Sequence, residues 1–199
     1  MRRTSMGLAL AAVLPLAGCF DADVTADFTD TSAVRLDAVM TMDPEVYDLT
    51  QGMGEDPCED GEGSVNSDGS FTCTMGDTRT LDDLLAAMDD PENDLGIGEG
   101  VEIRELDNGN ISVSFDLSEM TEDLPPEEER QQVAAMFGEA LAGHAMTLTV
   151  IGDEIVSTNG EILGDGTAAR LVIPLTVMFD PVLAAELPQS FDTELVPGG

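Results

Sequence analysis

From residue 20 to residue 42 the chain alternates apolar and polar side chains with a period of two, and no other feature restricts the fold as much. Phe20, Ala22, Val24, Ala26 and Phe28 fall on one face, with Asp21, Asp23, Thr25, Asp27 and Thr29 on the other. After Asp30-Thr31-Ser32 the alternation resumes with Val34, Leu36, Ala38, Met40 and Met42. Successive side chains of a strand point to opposite faces, so the stretch reads as a two-stranded antiparallel unit with one buried and one wet face.

The residues before this unit form a leader. Arg2 and Arg3 give a positive start, Met6 to Leu14 a short apolar run, and Leu16-Ala17-Gly18-Cys19 a small-residue cleavage zone. The apolar run is shorter than the ~20 residues a membrane span needs. The combination resembles the lipobox of bacterial lipoproteins, which implies that residues 1–18 are removed and that Cys19 becomes a diacylated N-terminus. Acyl chains hold a domain on a bilayer at roughly 0.8 kcal/mol per buried methylene. Because the alternation starts at the next residue, the domain is expected to sit close to the membrane without a long tether.

Without its leader the chain keeps 181 residues, enough for one domain with a real core. It then carries five arginines and no lysine against 41 acidic residues, a formal charge of −36. Such a charge repels nucleic acid and fits an acidic surface in a salty medium or a cationic protein partner. With Cys19 used for lipid, Cys58 and Cys73 remain, and an even pair in an exported chain is expected to oxidise. The bridge closes a glycine-, serine- and asparagine-rich loop that packing alone would struggle to order, and chain entropy assigns it about 3 kcal/mol.

Further elements follow from local patterns. Asp43-Pro44 opens a helix with Val46 and Leu49 on one side and Gly52 as a stop, and Thr80 caps a helix with the stripe Leu81, Leu84, Leu85 and Met88. The segment VEIRELDNGNISVSFDL is a hairpin. A two-residue Asn108-Gly109 turn would set polar Glu102 and Arg104 beside Val113 and Phe115, whereas a three-residue loop aligns Val101 and Ile103 with them, so register favours the latter. The main helix spans about residues 126–142, with Val133, Met136, Phe137, Ala140 and Leu141 buried. Met146, Leu148 and Val150 alternate in a strand, Ala168 to Val177 forms another with Pro174 marking an edge or bulge, and Asp180-Pro181 opens a last short helix. These elements make an α+β domain, residues 19–187, with a mostly antiparallel sheet and its helices on one face, followed by a flexible tail at 188–199.

The segment MTLTVIGDEIVSTNGEILGDGTAARLVIPL, Met146 to Leu175, resembles the late strand region of LppM-type bacterial envelope lipoproteins, with Gly152, Ile155, Asn159 and Gly160 at the matching turn and strand positions. With the lipidated cysteine and the early hairpin, the resemblance covers Cys19 to Leu175. It implies a non-enzymatic domain at the cell envelope, for which lipid or glycolipid binding has been proposed.

The inventory of reactive groups agrees. His144 is the only histidine and follows the helix-ending Gly143, where a cation meets the helix C-terminus favourably. No Gly-x-Ser-x-Gly element or P-loop lysine exists. The acidic stretch Asp89 to Gly100 fails the register of a calcium loop, so neither metal nor cofactor is expected. Methionines line adaptable apolar surfaces, which makes Met40, Met42, Met136, Phe137 and Met146 the expected lining of a groove for a hydrophobic ligand. A hydrolase using paired carboxylates, or a module binding a basic protein, is the alternative.

Overall fold

The alternating segments form β1 (Phe20–Asp27) and β2 (Val34–Met42), paired antiparallel with Ala22 opposite Met40 and Ala26 opposite Leu36. The structure is a computed structural model that describes residues 20–53, 56–58, 61–88, 100–118 and 126–199. Cys19, most of the acidic connector after Met88, and the side chains of Val133, Met136, Phe137 and Ala140 lie outside the described residues.

Helix α1 (Pro44–Met53) starts where the Asp43 carbonyl accepts the N–H groups of Val46 and Tyr47. It buries Val46 and Thr50, one turn apart. Leu49, expected beside Val46, is instead 53% exposed, and Gly52 lies inside the helix. The disulfide segment, expected as a flexible loop, contains a hairpin of β3 (Glu62–Val65) and β4 (Phe71–Arg79). Its turn closes with the Asn66 N–H on the Ser70 carbonyl, and Gly69 takes a φ of +90° that other residues rarely adopt.

Helix α2 (Leu81–Met88) is capped as its sequence predicts: the Asp83 N–H donates to the Thr80 hydroxyl at 3.1 Å, and that hydroxyl donates to the Asp83 carboxylate. Strands β5 (Val101–Glu105) and β6 (Ile111–Asp116) pair with Val101 opposite Phe115 and Ile103 opposite Val113, the register of the three-residue loop. Helix α3 (Glu127–Leu141) leads through Gly143, at φ +105°, into β7 (Ala145–Ile151). Then come β8 (Glu154–Thr158), β9 (Glu161–Leu163) and β10 (Ala168–Pro174).

Strand β10 stops at Pro174 rather than running to Val177, and residues 175–178 turn into a 3-10 helix. Leu175 donates to the His144 carbonyl, so alternation turns the nitrogen of Pro174 to the open side, where β9 has already ended. Asp180 caps α4 (Pro181–Glu186), accepting from the N–H groups of Val182 and Leu183.

The expected tail is the largest correction. Residues 190–196 form β11 (Ser190–Val196), an inner strand between β6 and β8. Phe191 and Leu195 are fully buried, which a loose terminus could not achieve. Gly152 and Gly160 make room for it: a Cβ at Gly160 would lie 2.6 Å from the Phe191 ring, and one at Gly152 would lie 2.8 Å from Leu195.

The strands build two sheets, ordered β3-β4-β2-β1-β7-β10-β9 and β5-β6-β11-β8, and among the described residues only β1 and β7 pair in parallel. The sheets face each other over one core. Phe28, Leu36, Leu148, Val150 and Ile173 from the larger meet Ile111, Val113, Phe115, Phe191 and Leu195 from the smaller. Truncating Phe191 to alanine is expected to cost about 3–5 kcal/mol in urea unfolding, whereas Ile162→Ala, at a side chain 53% exposed, should change stability by less than about 0.5 kcal/mol.

Candidate functional site

Strand register brings the sequence-predicted apolar residues onto one face of the larger sheet. Met40 lies opposite Cys73 on one side and Ala22 on the other, and Ala22 lies opposite Met146, so Met40 and Met146 flank a small side chain two strands apart. Met42 sits between Phe71 and Phe20. All three methionines are partly buried. Met40 and Met42 join Met75 and Tyr47 around the Cys58–Cys73 disulfide, whose Cα atoms are 5.5 Å apart. The Tyr47 ring stacks on Phe71 with centroids 4.5 Å apart. Met146 instead packs against the main core. Met136 and Phe137, also expected here, lie outside the described side chains.

A second cluster has no counterpart in the sequence reading. His144 Nδ1 lies 3.2 Å from the Asp21 carboxylate and Nε2 lies 3.5 Å from the Asp43 carboxylate. The other Asp21 oxygen accepts the Ala145 N–H at 2.9 Å. As expected, the histidine follows the C-terminal turn of α3, and its own N–H reaches the Leu141 carbonyl. Its ring, however, ties together the starts of β1, α1 and β7.

The outward face of the smaller sheet is largely polar, with Val156 of β8 an exposed exception. One register row runs Glu102, Ser114, Asp192 and the next Arg104, Ser112, Glu194, Ser157. Asp192 is held by the hydroxyls of Ser114 and Ser190, and Glu194 by the amide of Asn110. The Ser118 hydroxyl and N–H hold the Asp116 carboxyl below the usual carboxylate range. Two shallow concavities of about 580 and 400 Å3 open on this face. None of the predicted methionines lines either of them.

No family model matches this chain, and no curated protein matches it. Among solved structures, the NMR structure of the folded domain of the LppM protein from Mycobacterium tuberculosis is similar over 89% of each chain, with a TM-score of 0.45 and 13% sequence identity.

Removing the disulfide with Cys58→Ser/Cys73→Ser is expected to cost about 3 kcal/mol, read as a lower urea midpoint. His144→Ala removes a partner from two carboxylates about half exposed to solvent and should cost under about 1 kcal/mol, while His144→Gln, whose amide donates to one of them, should cost less.

Proposed function

We propose that this chain is a lipid-anchored, non-enzymatic domain of the bacterial envelope, exported with a leader that is then removed, acylated at Cys19 and facing the periplasm. The observation that carries the reading is the zone Leu16-Ala17-Gly18-Cys19 closing a positive, apolar leader. The leader's charge, apolar run and small-residue cleavage zone support export, and the bonded Cys58–Cys73 pair suits an oxidising compartment. Among the described residues no helix is long and apolar enough to cross a membrane.

Two features support binding over catalysis. The single histidine lies between two carboxylates, with Nδ1 3.2 Å from Asp21 and Nε2 3.5 Å from Asp43. Met40 and Met42, partly buried beside the disulfide, offer flexible, polarizable side chains suited to an acyl chain or other hydrophobic ligand.

Mass spectrometry of the detergent-extracted native protein tests the anchor. The expected product begins at Cys19, carries a diacylglycerol mass and lacks two thiol hydrogens. Cys19→Ser is expected to leave the membrane fraction or retain its leader. A native product beginning at Met1, or a free thiol at position 19, would overturn the reading.

A further inference from the structure

Strand register fixes which end of the domain meets the bilayer, an inference that rests on acylation of Cys19. The Cα of Cys19 is one peptide, about 3.8 Å, from that of Phe20, and Phe20 is the first residue of β1. The polypeptide tether is therefore shorter than one strand spacing, and the sheet end that carries Phe20 is held within a thioether and glyceryl linker of the membrane.

That end is apolar in a single row. Phe20 pairs with Met42, Met42 with Phe71, and Phe71 with Val65, three strand spacings or about 14 Å across. Phe20 and Met42 are partly exposed, and Val65, on the edge strand β3, is 58% exposed. The acids nearby are largely engaged: Asp21 and Asp43 face His144, and Asp68 accepts from the Ser70 N–H and hydroxyl. Glu45 and Asp48 of α1 remain outward and disfavour anionic lipid. The opposite end is polar, with Asp30, Arg35, Asp153 and Asp165 exposed.

We infer that the row Phe20, Met42, Val65 is a membrane-docking edge that rests in the interface of a neutral or zwitterionic bilayer, with the sheet standing upright on it. An acylated N-terminus at one end of this row supplies the attachment, and the row supplies a fixed orientation. Interfacial apolar groups settle about 5–10 Å into the headgroup boundary, enough to cover one row and not the next few.

The chain has no tryptophan, so single tryptophans report depth cleanly. Val65→Trp sits in the docking row. Val172→Trp, at a site 46% exposed, lies opposite Thr147 and so level with Asp23, about 10 Å further from the tether. Ile162→Trp, 53% exposed, lies level with Ala26, about 20 Å away. All three replace exposed side chains, and each acylated full-length variant is placed in phosphatidylcholine vesicles carrying a nitroxide near the top of the acyl chain. Emission from Val65→Trp is expected to fall by about half, as for a side chain at the headgroup boundary, with less quenching at Val172→Trp and none at Ile162→Trp. Equal quenching at all three, a reversed order, or none at Val65→Trp would overturn the docking edge. The Cys19 acyl mass, measured on the same samples, separates the two readings: its presence with the wrong order sinks the docking edge alone, and its absence sinks the anchor and the edge with it.

Discussion

Apolar contact between the inner faces of two sheets is the interaction on which the rest of this structure depends. Each sheet alone exposes one apolar face, and neither face can be buried by its own strands. Phe28, Val150 and Ile173 from one and Ile111, Phe191 and Leu195 from the other are fully buried, and burying such a side chain contributes roughly 1.5–3 kcal/mol. With no tryptophan and few aromatics, Phe115 and Phe191, with ring centroids 5.9 Å apart, form the principal aromatic contact of the smaller sheet. A chain of this charge repels itself at every pH where its carboxylates ionise, so the core must outweigh that repulsion as well as chain entropy.

The smaller sheet exists only because the chain's last strand enters it. Strand β11 pairs with β6 on one side and β8 on the other, joining a hairpin from the middle of the chain to a single strand made after α3. Gly152 and Gly160 carry the imprint of that arrangement, since any side chain there would collide with β11. Their presence as turn-like glycines is visible in the sequence, while the reason for them lies in a strand some 30 to 45 residues on.

The apolar face was legible because it follows from alternation. Once Ala22, Met40 and Met146 are known to point inward, register needs only to align three strands to bring the methionines to one level. The His144 cluster was not legible. Asp21 and Asp43 are each more than 100 residues from the histidine, and nothing in their local patterns separates them from the chain's many other acids. Similarly, the Cys58–Cys73 segment reads as turn chemistry throughout. Its strands form because β2 offers an open edge to β4, which local propensity does not reveal.

Period and punctuation determined the strands and caps of this protein. The alternation of residues 20–42, the Thr80 cap, the Asp180-Pro181 start and the three-residue hairpin loop each follow from steric and hydrogen-bonding rules that act within a few residues. The alternation Phe191, Thr193, Leu195 was equally present, and its position at the chain's end concealed it. Only the tertiary structure decided that there are two sheets, that β1 lies parallel to β7, and that the histidine meets its two carboxylates. These outcomes depend on which apolar faces cover one another, and that choice minimises exposed area over the whole chain rather than over any local stretch of it.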